Sequence, residues 1–188
     1  ESVWQEFTLN GKRVGAPVFI VNVTQSPNYP GEVNEREFRS VWNQAWFSSL
    51  RSASGLFRYA RRTKNLALME KVLLTKELAL SFPQTNGFFP GLIGTEMHEV
   101  EIDGQKYNRS KGWDTHYWGN SNRNPYTWNP AESPYHILDM SWTALLMARW
   151  YDELEKDERL LDYAKTYADA LLQIQSNSGF FPGWLDSQ

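Results

Sequence analysis

The pentapeptide Gly-Phe-Phe-Pro-Gly occurs twice in this chain, at 87–91 and 179–183. Each copy follows a stretch of helical periodicity and a Gln- and Asn-bearing lead, Gln84-Thr-Asn86 in the first and Gln175-Ser-Asn-Ser178 in the second. Recurrence at equivalent places marks an internal repeat, so any fold must accommodate the same closure twice. The motif has a mechanical reading. Gly ends a helix in a left-handed cap, the two Phe plug the gap between neighbouring helical hairpins, and Pro-Gly turns the chain towards the next.

Periodicity supplies the hairpins. Phe38, Val41, Trp42, Ala45, Trp46, Leu50, Leu56 and Tyr59 predict a helix over about 35–60. A polar turn, Arg61-Arg-Thr-Lys-Asn65, leads to a second helix striped by Leu66, Met69, Leu73 and Leu80, which Pro83 stops. Ser133-Pro134 opens the second hairpin, with Ser as cap and Pro in the first turn. Ile137, Met140, Ser141, Ala144, Leu145, Ala148 and Tyr151 form one face of its first helix. Asp157 caps its second helix, whose apolar face runs from Leu160 to Leu172. Residues 1–34 read as a β-rich segment or linker, with a strand running from Phe7 into an Asn10-Gly11 turn. Residues 93–133 lack helical period and read as a long loop that opens on a β-hairpin at Asp103-Gly104. Loops of that length inside a compact domain are usually functional. The expected fold class is therefore mainly α, with the helical unit spanning 35–188.

Composition narrows the function. The chain holds 9 Trp, 9 Tyr and 10 Phe, a load that suits stacking on the flat C–H faces of sugar rings. A net charge of −3 argues against a general nucleic-acid binder. No stretch reaches the roughly 18 apolar residues of a membrane span. The absence of Cys excludes thiolate nucleophiles and thiolate metal sites. His98, His116 and His136 do not stand at zinc spacing, and no phosphate loop, Gly-x-Ser-x-Gly or dinucleotide fingerprint is present. No metal and no cofactor is expected.

Two groups of residues could carry chemistry. Asp139 lies near the start of a helix beside Met140 on the apolar stripe, a setting that suits a general acid. Asp114, His116 and Tyr117 cluster between Trp113 and Trp118, with Asn120, Arg123 and Trp128 following in the densest polar-aromatic run of the chain. There an Arg would pair a sugar carboxylate, and His or Tyr would move a proton. Glu132 and His136 flank the start of the second hairpin and could line the same mouth, as could Trp184 and Asp186 after the second closure.

The stretch Ile137-Leu-Asp-Met-Ser-Trp-Thr-Ala-Leu-Leu-Met-Ala-Arg149, continuing through Asp162-Tyr-Ala164 to Gly179-Phe-Phe-Pro-Gly-Trp-Leu-Asp186, resembles the unsaturated glucuronyl and rhamnogalacturonyl hydrolase group of (α/α)6-toroid carbohydrate-active enzymes. That resemblance implies a toroid of six helical hairpins, of which two stand here and the rest elsewhere. It implies a glycoside hydrolase acting on oligosaccharides or polysaccharide fragments, uronate-containing ones included, in a periplasmic or secreted bacterial setting. It places Asp139 at the catalytic Asp. A carboxylate pair would flank the bond, with Asp114, Glu132 or Asp186 as the second member. Two alternatives stand beside it: a toroid polysaccharide lyase using Tyr117 and His116, and a glycan-binding or helical-repeat interaction domain without turnover.

Overall fold

The computed structural model describes residues 4–21, 38–120 and 135–185. The chain begins with an antiparallel hairpin, β1 (Trp4–Leu9) and β2 (Lys12–Pro17), joined at Asn10-Gly11, both with positive φ (49° and 77°). Such a pair matches the twist of the flanking strands. Val14 and Ala16 of β2 are buried, and β2 packs along α2 (Leu66–Leu80). Arg13 donates to Glu70 and the Lys71 ammonium lies over the Trp4 ring at 5.3 Å, which fastens the same hairpin at its rim.

A second, four-stranded antiparallel sheet follows the order β3 (Phe19–Val21), β4 (Phe38–Trp42), β5 (Leu92–Thr95) and β8 (His116–Gly119). Between β5 and β8 the chain makes a two-stranded ribbon, β6 (Met97–Ile102) and β7 (Gln105–Ser110), turning at Asp103-Gly104, and a single 3-10 turn at Trp113–Thr115. Trp113 leaves that turn to stack on Phe7, centroids 3.9 Å apart and planes within 5°, and its indole N–H donates to Gln5. The sheet and the first β-hairpin are thereby joined.

The two helical hairpins pair α1 (Ser49–Thr63) with α2, and α3 (Ile137–Glu153) with α4 (Glu158–Gln173). Local signals fix their ends. Ser48 accepts from the Arg51 N–H, Asn65 from that of Leu68, and Asp157 from that of Arg159. Buried Lys76 of α2 donates to Glu155 and Asp157, both at 2.8 Å, so an ion pair ties the first hairpin to the turn of the second. Arg159 adds a bidentate link to Glu77.

The first closure is a plug. Gly87 adopts φ 86°, and a Cβ there would meet Ala170 Cβ at 2.4 Å and Thr166 O at 2.8 Å. Phe89 is only 1% exposed and meets Tyr163 and Tyr167 of α4 edge-on at 5.0 and 5.5 Å. Gln84 donates to the Tyr163 carbonyl, and the Tyr163 hydroxyl donates to the Phe82 carbonyl. The second closure repeats the turn. Gly179 has φ 87°, and Gln175 donates to its carbonyl as Gln84 does to that of Gly87.

The mainly-α expectation is overturned. Among the described residues four α-helices stand beside ten strands in four antiparallel sheets. A toroid of helical hairpins does not describe this chain. Two segments account for the difference. Residues 38–42 form a central strand, although their apolar spacing imitates a helix; α1 starts only at Ser49. The stretch from Leu92 to Gly119, expected to be mostly loop, is built of four strands and one turn. Its pairing partners lie far away in sequence, and periodicity within a window does not register them. The Ser133-Pro134 start of the second hairpin lies outside the described residues.

Candidate functional site

The first turn of α3 gathers the most organised polar group. Asp139, its third residue, has a side chain only 3% exposed, with both oxygens engaged. Oδ1 accepts from the Ala45 backbone N–H at 2.8 Å, and Oδ2 lies 2.8 Å from His136 Nδ1. A carboxylate is an acceptor, so His136 Nδ1 donates to it, and Nε2 is the ring nitrogen left for other contacts. The His136 side chain is 20% exposed, enough to reach a ligand while its ring stays fixed.

Trp184 completes the ring's setting. The two-stranded pairing of β9 (Tyr135–His136) with β10 (Trp184–Leu185) puts Trp184 directly opposite His136. Their rings stack at 4.1 Å and 16°. The Ile137 N–H donates to the Gly183 carbonyl at 3.0 Å, so the tail of the second closure clamps the start of α3. The closure motif is therefore part of what builds the site.

The other wall is the loop between β4 and α1. Asn43 donates its backbone N–H to Gly91, accepts from Thr143 at its carbonyl and from Ser49 at its side chain. Gln44 donates to the buried Asn120. With Ala45 bonded to Asp139, the next two residues, Trp46 and Phe47, turn outward as exposed aromatics. Phe47 meets Trp42 edge-on and lines a hollow with Pro17, Val18 and Ser52, so only the Ala45 backbone of this loop is seen to reach Asp139.

The structure brings together Asp139, His136 and Trp184, with Asn120 behind the loop that contacts them. It sets the other group apart. His116 pairs with Thr95 at the end of β5 nearest Arg39, whereas Ala45 follows the opposite end of β4. Three strand steps, Arg39 to Trp42, separate the two ends, roughly 10 Å. His116 Nδ1 lies 3.0 Å from the Trp113 carbonyl, and its ring meets Trp118 edge-on. Trp113 is spent on Phe7 and Gln5, and Trp118 packs against Phe82. Asp114 is exposed on the 3-10 turn. Burial pushes the Tyr117 phenol up to about 12, so at neutral pH it keeps its proton. Arg123, Trp128, Glu132 and Asp186 lie outside the described residues.

Ala45, Gln44 and the Trp46-Phe47 pair had no signal as site residues in the sequence, because their segment reads as helix. A cleft of about 290 Å³ between β1 and the α1/α2 hairpin, lined by Trp4, Leu56, Leu68 and Lys71, includes neither His136 nor Asp139. Among the described residues no three His, Asp or Glu converge as a metal site would require. No helix there is long and apolar enough to cross a membrane.

Family models, curated proteins and solved structures all give no match to this chain. Any functional reading therefore rests on the geometry around His136.

Proposed function

We propose that the chain cleaves glycosidic bonds in oligosaccharides or polysaccharide fragments, uronate-containing ones included, with His136 moving the proton and Asp139 positioning it. The observation that carries this reading is the 2.8 Å Asp139–His136 contact with Trp184 stacked on the ring. A carboxylate on Nδ1 fixes the tautomer and stabilises the imidazolium, leaving Nε2 to exchange a proton with a reacting oxygen. Asp139 itself is too enclosed, and too fully bonded, to reach a glycosidic oxygen. Trp184, stacked on His136, supplies an aromatic surface of the kind that sugar faces favour. Glu132 and Asp186, four residues before His136 and two after Trp184, are the nearest carboxylates in sequence for a second hydrolytic group.

The test is release of reducing ends from a panel of neutral and uronate-containing oligosaccharides. His136→Ala should lower kcat by about 10²-fold or more. Asp139→Asn should lower kcat with little change in KM and should alter the pH profile, because the amide no longer selects the tautomer. Turnover indifferent to His136→Ala, or no turnover by the folded chain on any substrate, would sink the proposal. A lyase is the second reading, favoured by an imidazole poised as a base on the Asp139 carboxylate. Its product would show the absorbance of an unsaturated uronate, which hydrolysis does not create.

A further inference from the structure

The two copies of the closure share a turn and differ in what covers them. In the first, Phe89 is buried between Tyr163 and Tyr167 of α4, and Gly87 is pressed against Thr166 and Ala170. In the second, Phe180 is 75% exposed, Phe181 is exposed as well, and so is Leu172 in the last turn of α4. A Cβ on Gly179 would meet only the end of the Gln175 side chain, and one on Gly183 would meet nothing within 4 Å. The second copy thus keeps the shape of a plug without the helix that the first copy plugs against. Exposed Phe pairs of this kind mark contact surfaces.

We infer that the second closure is a docking surface for an α-helix of a partner protein, one that presents the pattern of α4: aromatic residues at i and i+4 and an alanine at i+7. The warrant is continuity with the interface inside the molecule, where Tyr163, Tyr167 and Ala170 take those places against the first closure. The small residue lets the glycine turn approach the helix, and the two aromatics enclose the second Phe of the motif. A second copy of this chain does not offer such a helix. Among the described helices its α4 is already taken by its own first closure, its α2 has no aromatic residue, and the aromatics of its α1 (Phe57, Tyr59) and α3 (Trp142, Trp150, Tyr151) do not stand at i and i+4. The partner helix would also seat the turn that clamps Trp184 over His136, since the Gly183 carbonyl holds the Ile137 N–H.

The test uses the full chain and, as a stand-in for the partner, a labelled peptide of residues 157–174 bridged on its solvent face to keep it helical. Saturable binding is expected. Phe181→Ala, an exposed change that leaves the fold intact by circular dichroism, should weaken it by about tenfold or more. A peptide with both Tyr replaced by Ser should bind no better than that. No binding, or binding indifferent to Phe181→Ala or to the Tyr replacements, overturns the inference. Sedimentation of the chain alone is the second readout. Self-association abolished by Phe181→Ala would overturn the choice of partner, because the occupant would then be a second copy.

Discussion

Asp139 and His136 differ in exposure in a way that their sequence positions do not suggest. Asp139 reads as an acid and is enclosed with both oxygens bonded, and the unremarkable His136 is the more exposed of the two. The difference is made by a backbone N–H from residue 45, which no local pattern announces. Asp157 is the opposite kind of residue, a helix cap legible in the sequence that gained a further duty in the fold. The Arg159 guanidinium, and after it the Lys76 ammonium, hold its carboxyl well below the usual carboxylate range. A depressed carboxyl contributes stability above its unfolded value near pH 4 and loses it as the pH falls towards its folded value. Asp157→Asn should cost about 2 kcal/mol at neutral pH. The gap between wild type and variant should narrow below about pH 4, and urea midpoints across pH would show it. A gap that stays constant down to the acid limit would mean that the ion pair contributes nothing.

The two closures make a natural experiment on elements. Gly87→Ala meets both an unfavourable left-handed backbone, about 1–2 kcal/mol, and overlap with Ala170 and Thr166, about 1–3 kcal/mol more. Gly179→Ala meets the backbone cost alone, since its surroundings are open. Thermal or urea unfolding of the two variants should therefore rank Gly87→Ala as clearly the more damaging, and equal losses would refute the packing argument. The helical hairpins, the Asn10-Gly11 and Asp103-Gly104 turns and the repeat were legible because their causes are local: caps, positive-φ residues and 3.6 spacing. β4 was not. Phe38, Val41 and Trp42 fit a helical stripe as well as a strand, and the choice is made by β3 and β5 on either side. Ser48, whose hydroxyl caps α1, was the one local sign of where the helix begins. Of the site, the residue types at the start of α3 were legible, and their partners were not, because Ala45 and Trp184 arrive through tertiary contacts.

At the scale of the molecule, one hydrophobic core runs through the first β-hairpin, the four-stranded sheet and all four described helices, and a few specific joints reinforce it. One is the Phe7–Trp113 stack, which ties β1 and β2 to the turn before β8. Trp113→Ala should loosen that joint selectively. Amide hydrogen exchange should quicken in β1 and β2 while α3 and α4 keep their protection; uniform quickening would show that the stack supports the whole core. Another joint is the Ala45–Asp139 bond, between residues far apart along the chain. Its consequence lies in the order of assembly. Until the β4–α1 loop has closed on α3, Asp139 Oδ1 lacks its backbone donor and the carboxylate is free to turn. Contacts of such long sequence separation form late. During refolding, helical content should return before Asp139 is fixed, so a half-assembled chain carries the right residues without their final arrangement.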